Sequence, residues 1–129
     1  MTRNAPPVLI IDEAGFSRVC SAFIEAEGFH THTHNHAKVV GDAQKPLHGS
    51  YCLVISSFDF AVKFSAEIKK LGLPVIVLAD HLSHSLIMLL EDLGNAYCMI
   101  KPLDYQKFLV LVLQIIRGEK AYCGGYSIV

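Results

Sequence analysis

The sequence has no excess of positive charge. Eleven Lys and Arg stand against twelve Asp and Glu, giving a formal net charge of −1 with the seven histidines neutral. Binding to a nucleic-acid backbone draws on basic side chains that neutralise phosphates, so direct nucleic-acid binding has no electrostatic footing here. Long apolar runs are missing too. Runs such as Phe108–Leu113 fall far short of the ~20 residues that a membrane-spanning helix needs. The stretch Met1-Thr2-Arg3-Asn4-Ala5-Pro6-Pro7 lacks the apolar centre of a secretory signal, and the run after it, Val8–Ile11, stops at Asp12. These absences predict a cytoplasmic protein with no membrane contact. The four cysteines, Cys20, Cys52, Cys98 and Cys123, include no closely spaced pair of the kind that redox and zinc motifs use. In a reducing compartment they read as free thiols acting as small core hydrophobes. There is no internal repeat, no low-complexity tract, and no glycine-rich loop to cradle a cofactor phosphate.

What is present is apolar and regularly spaced. Of the 129 residues, 52% are hydrophobic and 18% charged, which argues for a packed body and against disorder. A chain of this length suits one domain and buries roughly two-thirds of its unfolded surface. Five short apolar runs stand out: Val8–Ile11, Phe29–Thr33, Leu53–Ile55, Val75–Leu78 and Ala96–Ile100. Stretches of helical spacing lie between them. Phe16, Val19, Cys20, Phe23 and Ile24 form one apolar stripe, with Gly28 as a stop. Ile68 and Leu71 fit a helix ending near Gly72. Ser83 caps a helix through Leu86, Leu89, Leu90 and Leu93, closed by Gly94. Asp104 caps a last helix through Phe108, Leu111, Val112, Ile115 and Ile116 to Gly118. A short helix over Ala37–Ala43 and a loop at Lys45–Gly49 complete the pattern. Strands alternating with helices predict an α/β domain, a doubly wound parallel sheet in three α/β/α layers. The domain spans 1–129, with a core at 8–117 and a tail or linker start at 118–129.

In an open parallel sheet, ligands collect beyond the carboxyl ends of the strands. Strand one ends in Asp12-Glu13, strand three in Ser56-Ser57, strand four in Ala79-Asp80 and strand five in Lys101-Pro102. Two carboxylates and a lysine gathered there suit a hard cation and a phosphoryl oxygen. In these segments, over about residues 8–117, the sequence resembles the response-regulator receiver (CheY-like) family. They are Val8-Leu9-Ile10-Ile11-Asp12-Glu13, Tyr51-Cys52-Leu53-Val54-Ile55-Ser56-Ser57, Pro74-Val75-Ile76-Val77-Leu78-Ala79, and Gly94 through Ile100-Lys101-Pro102-Leu103. The resemblance implies a flavodoxin-like (βα)5 fold with strand order 2-1-3-4-5, an order for which CheY is itself the stock example. It also implies a two-component signalling role without enzymatic activity. By resemblance Asp12 and Glu13 occupy the magnesium-holding pair and Lys101 the phosphate-contacting lysine.

The departures weigh more than the matches. Ser57 stands where the family has its phospho-acceptor aspartate. Ala79 replaces the strand-four hydroxyl, and Cys98 occupies the aromatic switch position, with Tyr97 beside it. A serine hydroxyl is a weak nucleophile unless a base activates it, and no histidine falls at a strand end to serve Ser57. Losing the aspartate also weakens the magnesium site, so the expected cofactor is none, or a weak magnesium at Asp12 and Glu13. Lys101 can then pair with Asp12 or Glu13 and hold the pocket in one state. The chain thus reads as a pseudo-receiver acting through protein contacts. Two rivals stand beside it. Asp59, two residues past Ser57, offers a displaced acceptor in the acidic pocket. In His30-Thr31-His32-Thr33-His34-Asn35-His36, the alternation places His30, His32 and His34 on one face of strand two, where they can bind metal, respond to pH or simply form a polar edge. The nearly all-round apolar last helix predicts a protein interface or a homodimer, and the resemblance implies that it forms on the helix-four, strand-five, helix-five face.

Overall fold

The computed structural model of the chain describes residues 6–35, 50–119 and 125–129. The elements run β1 (Val8–Asp12), α1 (Ala14–Glu25), β2 (Thr31–Asn35), β3 (Leu53–Ser57), α2 (Phe58–Lys63), α3 (Ser65–Leu71), β4 (Val75–Ala79), α4 (His84–Leu93), β5 (Asn95–Ile100), α5 (Tyr105–Ile116) and β6 (Gly125–Ile128). The helix expected over Ala37–Ala43, the loop at Lys45–Gly49, His36 and Cys123 lie outside the described residues.

All strand pairs are parallel, in the order β2-β1-β3-β4-β5-β6. β1, β3 and β4 are buried at every position, as continuous apolar runs require when helices cover both faces. Alternate residues feed two cores. Leu9, Ile11, Val54, Val75, Val77 and Cys98 pack with Phe60, Ile68, Leu86 and Leu90 of α2–α4. Val8, Ile10, Leu53, Ile55, Ile76 and Met99 pack with Cys20 and Ile24 of α1 and Phe108, Leu111 and Val112 of α5. This is the three-layer doubly wound architecture that the alternating pattern predicts.

The helix ends follow local chemistry. The Ser83 hydroxyl accepts the Leu86 N–H at 3.1 Å. Asp104 Oδ1 accepts from Gln106 N and Lys107 N at 3.0 and 3.2 Å. Each satisfies donors that the first turn leaves unpaired. Gly72 and Gly94 end α3 and α4 in the left-handed region, φ +66° and +79°, where a side chain is disfavoured.

The helix expected to end near Gly72 is α3; the short α2 precedes it, and Phe64 between them stacks on Phe60 with ring centroids 4.6 Å apart. One expectation needs correction: among the described residues the sheet has six strands instead of five. Residues 125–128, read as part of a tail or linker start, pair with β5 along its outer side. The Gly124-Gly125 signal hid them. Gly125 uses its freedom at φ +81° to enter a strand whose Tyr126 packs against the α2–α4 core.

Candidate functional site

The carboxyl ends of β1, β3, β4 and β5 come together by register. Ile11 lies opposite Ser56, Ser57 opposite Leu78, and Ala79 opposite Ile100. Lys101 continues the ladder by donating its N–H to the Ala79 carbonyl at 2.8 Å. The result is a cavity of about 490 Å³ lined by Asp12, Glu13, Ser57, Phe58, Asp59, Leu78, Ala79, Asp80, His81, Ser83 and Lys101. Six of the seven positions singled out in the sequence line it. The seventh, Cys98, is fully buried in the α2–α4 core and does not line the cavity.

Lys101 and Asp12 form the centre. Lys101 Nζ donates to Asp12 Oδ2 at 3.1 Å, and the side chains are 25% and 4% exposed respectively. The other carboxylate oxygen, Oδ1, accepts the Glu13 N–H at 2.7 Å. Of the two carboxylates that could have held the lysine, the buried one does so, where the lower local dielectric strengthens attraction and makes an unpaired charge costly. Lys101 is steered further by the Phe16 ring, whose centroid lies 4.2 Å from Nζ, a cation–π contact. Phe16 in turn lies beside Tyr105 of α5, with centroids 6.4 Å apart. Thus α1 and α5 jointly fix the lysine.

Ser57 is the N-cap of α2. Its Oγ accepts the Phe60 N–H at 3.3 Å, and the residue is 7% exposed. The same hydroxyl that stands at the acceptor position therefore performs a structural task. Asp59 sits in the first turn of α2, exposed at the cavity edge. The pleat ends at Ser57, so Asp59 is a helix residue rather than a displaced strand residue.

The donor set does not fit a magnesium ion. One oxygen of Asp12 holds Lys101 and the other a backbone N–H, Glu13 is exposed, and the third ligand position carries a hydroxyl bound to Phe60. Among the described residues, no three His, Cys, Asp or Glu side chains are grouped so as to hold a metal ion. The histidine segment is separate from the cavity. β2 is the sheet edge, and His32 and His34 pair in register with Leu9 and Ile11. His30 precedes the strand and uses its carbonyl to accept the Val8 N–H at 2.9 Å. The exposed His32 ring meets Tyr51 edge-on at 5.7 Å.

Sequence reading missed three contributors. Phe16 reads only as a core position, yet it carries the lysine. His81, one residue past Asp80, lines the cavity alongside Ser57 although no histidine was expected there. Cys20 lies under the site. Burial first, and then the charge of Asp12, push its thiol up to about 12, while Lys101 opposes the shift. An apolar stripe residue such as Phe16 or Cys20 carries no signal that it will face a charged pair, so only His81, just past the end of β4, offered a clue.

No protein-family model matches the sequence, and no curated protein is significantly similar to it. Solved structures do match. A response regulator from Thermotoga maritima superposes with TM-score 0.65 at 19% identity, covering 88% of this chain and 98% of that one. The chemotaxis response regulator CheY4 of Vibrio cholerae gives 0.60 at 20% identity, covering 88% and 99%. The chain has the receiver fold. A third match is an atypical orphan response regulator described as having a phosphorylation-independent regulatory mechanism, with TM-score 0.65 at 16% identity over 85% and 95% of the two chains. At these identities the likeness is one of fold. The five-stranded part of the receiver fold agrees with the strand order that the resemblance implied, and β6 is an addition to it. Among the described residues, no helix is long and apolar enough to cross a membrane.

Proposed function

We propose that this chain is a receiver-fold module of two-component signalling that works in the cytoplasm by protein contact, without phosphoryl transfer to Ser57 and without magnesium. One observation carries this reading: the Lys101 ammonium rests on buried Asp12 at 3.1 Å while the hydroxyl at the acceptor position caps a helix. A carboxylate accepts a phosphoryl group because it is ionised and nucleophilic at neutral pH; a hydroxyl needs a base. The ion pair offsets the charge of buried Asp12 from within, so that carboxylate needs no cation beside it. Ala79 has no hydroxyl with which to read a phosphoryl group, and Cys98 is a packed thiol. The pocket is set in one state, and the chain performs no reaction of its own. Its output is a surface that other proteins or a second copy contact. That surface lies on α4 and α5 with β6 between them, where Met88, Val110 and Ile128 are 56, 50 and 45% exposed.

The test is intact-mass measurement after incubation with a small phosphodonor and magnesium. The expected result is unchanged mass. A stoichiometric, acid-labile gain of one phosphoryl group overturns the reading. A second reading has one observation in its favour, since Asp59 lines the same cavity as Lys101. It requires phosphoryl uptake that the Asp59→Asn protein loses.

A further inference from the structure

Strand β6 reaches its place by a crossover of unusual hand. The β3–β4 and β4–β5 connections step in one direction across the sheet, with α2, α3 and α4 on one face. The β1–β2 connection steps the opposite way with α1 on the opposite face, which is the same hand. The β5–β6 connection continues in the direction of the first two, yet α5 lies on the face of α1. There its Tyr105 ring stacks on Phe23 at 5.1 Å. The β5-α5-β6 unit is therefore opposite in hand to the β1–β2, β3–β4 and β4–β5 crossovers. Parallel crossovers are right-handed in about 98% of cases, because a right-twisted strand feeding a right-handed helix returns to the sheet that way. This one is left-handed, and α5 is not free to change face, since Phe108 and Val112 are fully buried against the α1 side.

The seat on β5 is nevertheless well matched to residues 125–129. Ala96 pairs with Tyr126 and Cys98 with Ile128. Val129 N–H donates to the Cys98 carbonyl at 2.9 Å, and Tyr126 packs on the α2–α4 core. The strand carries no charge and no proline to block pairing. It is an edge strand, with Gly125, Ser127 and Ile128 exposed and Tyr126 partly buried, so release exposes little core.

We propose that β6 is exchanged between two copies of this chain, each supplying residues 125–129 to the β5 edge of the other. The exchanged pair keeps every contact of the seat. The strand then arrives from another chain, so the crossover of unfavourable hand within one chain disappears. Swapping an identical element is a low-cost route to a dimer. The occupant is this chain's own segment because the observed register and packing are made by that segment. The proposal stands whether or not Ser57 accepts a phosphoryl group.

Cross-linking decides the matter. Ile128→Cys places a thiol opposite Cys98 on the neighbouring strand, at the spacing of about 4.8 Å between strands, within reach of a disulfide. Cys20→Ala, Cys52→Ser and Cys123→Ser remove the other thiols. After mild oxidation, a non-reducing denaturing gel is expected to show a band of twice the chain mass that collapses on reduction. A disulfide closed within one chain overturns the proposal. The unmodified protein gives an independent reading by light scattering across a hundredfold concentration range. Dimer that becomes monomer when the chain is cut after Glu119 supports exchange. Monomer at every concentration, or a dimer that survives the cut, refutes it.

Discussion

Removing the Lys101 ammonium tests the pocket most directly. In Lys101→Ala the carboxylate of Asp12, 4% exposed, keeps the Glu13 N–H but loses its counter-charge. Orphaning one member of a fully buried pair costs about 3–5 kcal/mol, and a surface pair is worth about 0–1 kcal/mol. Lys101 is 25% exposed, which places this pair between the limits, at about 2 kcal/mol. The Phe16 contact at 4.2 Å adds about 0.5–1 kcal/mol. The total is about 2.5–3 kcal/mol, or about 10 °C in Tm for a domain of this size. Urea unfolding measures it, and a cycle with Asp12→Asn isolates the pair. Coupling of about 2 kcal/mol is expected, because once Asp12 is neutral the lysine no longer satisfies a charge. A loss below about 0.5 kcal/mol, or single effects that add within about 0.5 kcal/mol, refutes the view that this pair holds the pocket.

Ser57→Ala removes the α2 cap and is expected to lower stability by about 1 kcal/mol in the same assay; no loss shows that the 3.3 Å bond contributes nothing. Cys20 titrates far above its ordinary value because the fold favours its protonated form. Its contribution is therefore whole below about pH 9, the ordinary thiol value, and is lost as pH climbs toward about 12. Unfolding midpoints measured from pH 8 upward are expected to fall, less steeply in Cys20→Ala; parallel curves contradict this. The same burial makes Cys20 resistant to alkylation at pH 8 until the protein is unfolded, which mass spectrometry of iodoacetamide-treated protein checks. Zinc calorimetry is expected to give no binding tighter than about micromolar, since His32 is engaged with Tyr51 and His30 precedes the strand. Tighter binding revives the metal-responsive reading of the histidine segment.

Most of the frame is legible in the residues. Continuous runs such as Val8–Ile11 and Val75–Leu78 must be covered on both faces, because no face of theirs tolerates water. Ser83, Asp104, Gly72 and Gly94 mark helix ends through local hydrogen bonding and backbone freedom, which depend on a few neighbouring residues. The order of strand ends in the chain brings Asp12, Ser57, Ala79 and Lys101 into one list of candidates.

Two things were beyond that reading. A strand with little burial, Gly-Tyr-Ser-Ile, has no apolar signature of its own, and only the open edge of β5 makes it a strand. The choice of partner for Lys101 likewise rests on distance and burial. Asp12 and Glu13 are adjacent and chemically alike, but the strand turns Asp12 into the protein and leaves Glu13 in water. Sequence thus determined which groups reach the carboxyl end of the sheet, since periodicity and capping act over a few residues. Tertiary structure decided which charges meet and what the tail becomes, because those depend on atoms brought together from positions as far apart as Asp12 and Lys101.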